Sequence, residues 1–180
     1  MIQDIWPKHL DNQYKNLKPG KGDTVFYFQG SSLLARPSGH FNSQNPEENV
    51  LIYPQYDEFV QGIKSSYGDK AVDNFEFIYL LSIDEEHFFL ARKTGSLERG
   101  TFLGEMADSA VHKDMYSFVR GYEFIGVDSF RKAQPREHAY AAITAFHLYG
   151  WYRDNHFCGR CGKPLKHDAV SYTHLRAHET

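Results

Sequence analysis

Cysteine is scarce. The 180-residue chain has two, Cys158 and Cys161, and no third. So few exclude a disulfide framework. Without a secretion signal, the pair points to a reducing compartment and to metal or redox chemistry. Long apolar runs are also missing, since none approaches the ~20 residues that span a bilayer. The N-terminus has no basic segment leading into an apolar core, so neither a membrane partner nor a signal peptide is expected, and the expected location is cytoplasmic. Charge of one sign is lacking too. A formal net charge of −3 gives no general attraction to nucleic acid, which is not an expected partner. Phosphate loops are absent: neither G-x-x-x-x-G-K-[ST] nor G-x-G-x-x-G occurs, and the glycines from Gly20 to Gly30 are too loosely spaced to make one.

What is present supports a packed domain. Hydrophobic residues make up 41% and aromatics 16%, enough for a core, and the length suits one ordinary domain with an appendage. The chain is organised around Tyr140–Gly162, YAAITAFHLYGWYRDNHFCGRCG. Pro135 suits a first helical position, and no proline follows until after Arg153. Tyr140, Ile143, His147 and Trp151 recur at three- and four-residue spacing, with Ala139, Ala142, Phe146 and Tyr149 as a second apolar stripe. Both predict a long buried helix over 135–153. Cys158-x-x-Cys161-Gly162 follows at once. Two thiolates on a tight turn grip one side of a tetrahedral Zn2+ ion, so Cys158 and Cys161 are the candidate metal ligands, and they supply half a site. A redox C-x-x-C opens a helix, whose N-terminus lowers the thiol pKa. This pair instead follows a helix and precedes Gly162 and Pro164, which argues against redox catalysis.

The helix with its spaced alanine, leucine and aromatic positions, followed by F-C-G-R-C-G, resembles the junction between the N-terminal domain and the zinc ribbon of NADH pyrophosphatases of the Nudix superfamily. MIQDIWPKHLDNQY is similar to the opening of Gram-positive members, and YLLSIDEEHFFLAR looks like a hairpin of their N-terminal domain. The resemblance covers roughly residues 1 to 168. It implies a second C-x-x-C closing the zinc site and a catalytic domain beyond it. That domain would use Mg2+ or Mn2+, held by the glutamates of G-x5-E-x7-R-E-x2-E-E-x-G, to cleave NADH or NAD+ into a nicotinamide mononucleotide and AMP. Neither element occurs here. Arg136-Glu137 is the only Arg-Glu pair and no Glu-Glu follows it. The expected organisation is therefore an N-terminal domain over 1–153, the start of a zinc ribbon over 154–168, and a non-native tail over 169–180. The implied partners are an NAD(H)-type dinucleotide for the whole protein and a second copy of the chain. No catalytic residue is assigned within these residues, and the alternative reading is a non-catalytic zinc-binding scaffold.

Along the chain, residues 1–23 read as an irregular arm. Thr24–Gln29 and Leu33-Leu34-Ala35, turned by Gly30-Ser31-Ser32, predict a hairpin. Val50–Tyr53 predicts a short strand stopped by Pro54, and Tyr56–Ser66 a short helix. Phe75–Ser82 and Glu86–Lys93 predict the strongest hairpin, with Phe75, Phe77, Tyr79 and Leu81 alternating onto one face. Thr101-Phe102-Leu103 and Tyr122–Val127 are further strand candidates, and Ala107–Arg120 has helical composition. Strands first and helices later predict an α+β fold, a largely antiparallel sheet packed by the long C-terminal helix.

The histidines need separate readings. His147 lies on an apolar helix face and reads as a core or interface residue. His138, His112, His87 and His40 are scattered and read as solvated. Asp84-Glu85-Glu86 reads as a solvated hairpin tip, and Phe146 and Trp151 as core. Ala169–Thr180 breaks from the family pattern and reads as a foreign tail, of the kind translated from adaptor sequence at the end of a gene fragment, with no fixed place in the fold. With the cysteines, His174 and His178 fit the C-x2-C-x12-H-x3-H spacing of a DNA-binding finger. Ser171 and His156 stand where a finger needs its apolar and aromatic residues, so this reading is set aside, leaving the two histidines as opportunistic zinc ligands.

Overall fold

The computed structural model describes residues 5–39, 42, 45, 49–94, 118–155, 157, 158, 160, 162, 163, 165–168 and 171–177. The expected strand at 101–103 and most of the expected helix at 107–120 lie outside these. In chain order the elements are β1 (Leu10–Asp11), β2 (Thr24–Gln29), β3 (Ser32–Pro37), β4 (Leu51–Ile52), α1 (Tyr56–Tyr67) and a 3₁₀ turn (Asp69–Asn74). Then come β5 (Phe75–Ile83), β6 (Glu86–Lys93), β7 (Glu123–Gly126), α2 (Val127–Phe130), α3 (Arg136–Asp154), β8 (Leu165–Asp168) and β9 (Ser171–Ala177).

The fold is α+β. Its main sheet has seven strands in the order β1-β5-β6-β2-β3-β4, with β7 also paired to β3. Every pairing is antiparallel except β2 with β6, which is parallel. The two predicted hairpins thus meet through one parallel seam, from Thr24 opposite Phe88 to Tyr27 opposite Ala91. The far edge of β3 is shared, with Ser32–Ala35 facing β7 and Arg36–Pro37 facing β4.

Both faces of the sheet are covered. Consecutive strand residues point to opposite sides, so Phe26, Phe88 and Leu90 join one core while Val25, Phe89 and Ala91 join the other. α3 packs on the first core, and Phe59 and Ile63 of α1 on the second. A sheet buried on both faces reads as unbroken apolar runs, as FEFIYLLSI does. The expected alternation in β5 holds for Phe75, Phe77 and Tyr79, which share the α1 side, but Leu81 lies in the α3 core with Ile78, Leu80 and Ile83. The register shifts between Tyr79 and Leu81. A bulge adds one residue to a strand and so reverses which face the following side chains meet.

The buried stripe of α3 also differs from the expected one. Ala141, Ala145, Leu148 and Tyr152 are buried with Ala139 and Ala142, whereas Tyr140, Ile143, Phe146, Tyr149 and Trp151 pack partly buried around them. Alanines let the helix axis approach the sheet, and the larger rings then close the flanks. Phe28 stacks on Tyr149 with ring centroids 5.3 Å apart and meets Phe146 at 5.6 Å. His147 is exposed, not a core residue. Among the described residues no helix is long and apolar enough to cross a membrane.

The N-terminal arm is mostly irregular, as expected, but it is pinned to the tip of the β5–β6 hairpin. Leu10 pairs with Ile83 and Asp11 with Ser82. At the other end of the chain, Ser171–Ala177 is a strand, where a tail without fixed structure is expected. It pairs with Leu165–Asp168 in a two-stranded sheet separate from the main one.

Candidate metal knuckle and its surroundings

α3 ends where Asn155 leaves helical geometry, at φ −112° and ψ 62°. Its backbone N–H and its side-chain Nδ2 both donate to the Trp151 carbonyl, at 3.0 and 2.8 Å. The Trp151 carbonyl thus receives the last i→i−4 backbone bond of the helix and a side-chain bond beside it. Phe157 follows, half exposed, and then Cys158, partly buried.

The backbone around the cysteines closes into a tight turn. The Gly162 N–H donates to the Cys158 carbonyl at 2.8 Å, and the Cys158 N–H donates to the Lys163 carbonyl at 2.8 Å. Gly162 sits at φ +67°. An L side chain there costs about 1 kcal/mol or more, so glycine suits the position directly after Cys161. The turn carries the Cys158 thiol at its start. By residue type, two cysteines suit two of the four positions of a zinc site. Cys158 and Cys161 would hold the ion, and Cys161 lies outside the described residues. Among the described residues no three His, Cys, Asp or Glu side chains come together as a metal-binding group. In the chain after the knuckle, His174 belongs to strand β9 and not to a helix. The helix that carries both histidines of a DNA-binding finger is therefore absent at His174, and His178 lies outside the described residues.

The acidic tip of the β5–β6 hairpin diverges. Asp84, in left-handed geometry at φ 54°, accepts the His9 N–H at 2.8 Å, and its own N–H donates to the His9 carbonyl at 2.8 Å. Lys8 Nζ lies 3.2 Å from its other carboxylate oxygen. The His9 N–H first, and Lys8 second, hold the Asp84 carboxyl below the usual carboxylate range. Glu86 instead faces α3, where its Oε2 lies 2.7 Å from His138 Nε2. Glu85 is exposed. Asp84 and Glu86 thus serve different partners while Glu85 stands exposed, and the three do not converge on one divalent ion. This cluster does not supply the converging carboxylates that Mg2+- or Mn2+-assisted hydrolysis needs.

The histidines read as solvated are held by carboxylates where they are described. His138 is also covered by Phe88 and Tyr53, with ring centroids 5.4 and 6.2 Å away. His87 Nδ1 lies 3.3 Å from Asp23 Oδ1. His40 and His112 fall outside the described residues.

Two polar networks have no sequence signature. Tyr122 Oη donates to Glu58 at 2.8 Å, and the same carboxylate oxygen accepts the Gln55 N–H at 3.1 Å as part of the α1 capping box. The Arg36 guanidinium lies 5.0 Å above the Tyr122 ring. Burial first, then the bond to Glu58, raises the Tyr122 phenol pKa. Beside the last turn of α3, Arg92 pairs with Glu76 across the hairpin and lies over Tyr152. Apart from the local Gln55–Glu58 capping bond, these contacts join residues 16 or more positions apart. No local pattern could have marked them. Compared with known proteins, the chain matches no protein-family model and no curated protein sequence.

Proposed function

We propose that these residues are the N-terminal scaffold and first zinc knuckle of a zinc-ribbon hydrolase of the Nudix type, resembling NAD(H) diphosphatases. The observation that carries the reading is the hydrogen-bonded turn from Cys158 to Lys163, with Gly162 in left-handed geometry, placed directly after a helix seated on the sheet. Tight turns of this kind are the backbone form on which a C-x-x-C pair grips one ion. Zinc bound there would cross-link the end of α3 to the chain beyond the knuckle. Two protein thiolates leave two coordination positions, which a second C-x-x-C, a histidine or another copy of the chain would fill. The dinucleotide and the catalytic Mg2+ or Mn2+ belong, in this reading, to a Nudix domain outside these residues. Within them the role is structural.

Cobalt titration of the reduced chain tests the metal reading, because thiolate ligation produces intense near-ultraviolet charge-transfer absorption. The band is expected for the native chain and is lost in Cys158→Ser and Cys161→Ser. An unchanged band in both variants would overturn it. The catalytic part is tested by AMP release from NADH with excess Mg2+ or Mn2+. No turnover above a metal-only blank is expected from the 180 residues. Turnover that disappears in Glu85→Gln/Glu86→Gln would show that the hairpin tip forms a site after all.

A further inference from the structure

The N-terminal arm holds the outer edge of β5 with few contacts. Leu10 pairs with Ile83 and Asp11 with Ser82. His9 and Asp84 exchange two hydrogen bonds, one of them through the Asp84 carboxylate. The Lys8–Asp84 ion pair is exposed at both ends, and such pairs contribute little. Ile5 and Leu10 pack partly buried against the α3 side of the sheet, whereas Trp6 is 87% exposed. From Asn12 to Gly20 the arm belongs to no helix or strand. It is fixed again at Asp23, whose carboxylate accepts the Gly20 N–H at 2.7 Å and lies 3.3 Å from His87.

The same edge hides a hydroxyl that bonds to nothing. Tyr79 of β5 is 2% exposed and belongs to the core on the α1 side. Its Oη is buried without a hydrogen-bond partner among the described residues. The rings of Phe89 and His87 stand 5.6 and 6.2 Å away. The arm runs antiparallel to β5, and its register carried on from Leu10–Ile83 and Asp11–Ser82 brings Tyr14 and Lys15 abreast of Tyr79. Lys15 Nζ lies 2.6 Å from Asp11. That bond raises the Lys15 pKa, and the nearby Tyr79 phenol adds to it. We infer that residues 5–18 are a releasable strap. It opens as a unit while the sheet stays folded, and its opening uncovers the Tyr79 hydroxyl and the outer edge of β5 at Ser82 and Ile83.

The physical basis is a balance between a light hold and a built-in cost. Segments with few buried apolar contacts open below the free energy of global unfolding. The closed strap also leaves a buried donor with no acceptor, which costs stability. Opening lets water take that hydrogen bond, so the hydroxyl favours release. The Asp23 anchor stays with β2 and β6, which places the hinge at Lys18-Pro19-Gly20. The open form presents an O–H donor at Tyr79 and unpaired backbone groups at Ser82 and Ile83, the kind of edge that accepts an added strand. Any molecule that binds only the open form shifts the balance towards it by its differential affinity.

The experiment follows amide hydrogen exchange of the full chain by nuclear magnetic resonance at low, rising urea. The His9 and Asp84 amides report the strap, and the Val25 amide, bonded to the Pro54 carbonyl, reports the core. The two strap amides are expected to exchange together, far more often than Val25 and with little dependence on urea. Tyr79→Phe removes the unpartnered hydroxyl and should slow strap exchange at least about fivefold, the lower end of the cost of an unsatisfied buried polar group expressed as an equilibrium ratio. Leu10→Ala should speed it, and should raise in step the rate at which tetranitromethane nitrates Tyr79, located by peptide mass. Strap amides that exchange only together with Val25 would make the arm part of the core and overturn the inference. Strap exchange in Tyr79→Phe that is unchanged or faster would overturn the gating by the hydroxyl. Should Tyr79→Phe fail to fold, Leu10→Ala decides, since Tyr79 nitration no faster than in the native chain would overturn it as well.

Discussion

Adding one methyl group at Gly62 should act against helix propensity. Gly62 is buried in the middle of α1, where replacing glycine by alanine ordinarily stabilises by about 0.8–1.0 kcal/mol. Here a Cβ would lie 2.7 Å from the Phe118 carbonyl oxygen, 3.1 Å from Val119 Cγ2 and 3.2 Å from Val119 Cα. Two of those three atoms are main chain and cannot swing aside as a side-chain tip would. Overpacking of this kind costs about 1–3 kcal/mol. The clash outweighs the propensity gain, and Gly62→Ala should destabilise by about 1 kcal/mol and up to 2. For a chain of this size that lowers the thermal midpoint by roughly 2–8 °C. Gly150 supplies the control. It lies inside α3, and a methyl group there would meet no other described part of the fold within 4 Å, so Gly150→Ala should stabilise by about 0.5–1 kcal/mol. Urea unfolding of the two variants beside the native chain reads both signs. Gly62→Ala as stable as the native chain would mean that residues 118–119 yield freely, and the reasoning from close contact would be wrong.

Tyr122→Phe removes the hydroxyl that donates to Glu58 and should cost about 1.5–3 kcal/mol in the same assay, the range for a bond to a charged acceptor. A Glu58→Gln/Tyr122→Phe double variant should then lose less than the sum of the singles. Asp84→Asn should release the N-terminal arm from the hairpin tip. Because the folded Asp84 carboxyl titrates below its ordinary value of 3.8, its stabilisation is complete at neutral pH and is lost as pH falls through the folded pKa. The stability gap between native chain and variant should therefore close in acid, and a gap that widens there would contradict the assigned partners. Removing residues 169–180 should leave the main unfolding midpoint within about 2 °C of native, because β9 belongs to the separate two-stranded sheet and such a pair is marginal on its own. A large drop would show that β9 supports the main core.

The two helices and the two hairpins were legible because each rests on a local rule. Apolar residues at three- and four-residue spacing mark α1 and α3, and β-branched and aromatic runs cut by Gly30-Ser31 and by Asp84-Glu85 mark the strands. The strand of Glu123–Gly126 was readable in the same way, though its pairing with β3 was not. At the knuckle, Cys158-x-x-Cys161-Gly162 announced a tight turn through its own glycine, and the turn described from Cys158 to Lys163 is of that kind.

The amino-acid sequence by itself determined the type and approximate boundaries of α1, α3 and the two hairpins of the main sheet, and the position of the two thiols along the chain. All of these follow from interactions within a few residues. Tertiary structure alone decided the rest. The parallel seam between β2 and β6 joins segments some sixty residues apart, and strand order of that kind has no local signal. The bulge after Tyr79 sends Leu81 to the opposite core, because a single extra residue inverts an alternation that otherwise reads correctly. The buried face of α3 proved to be its alanines, since close approach to a sheet rewards small side chains where an isolated helix would display its largest ones. The Arg92–Glu76–Tyr152 contacts and the Tyr122–Glu58 bond exist only once distant chain segments meet. Polar partners are chosen by what the fold brings within reach, not by spacing along the chain.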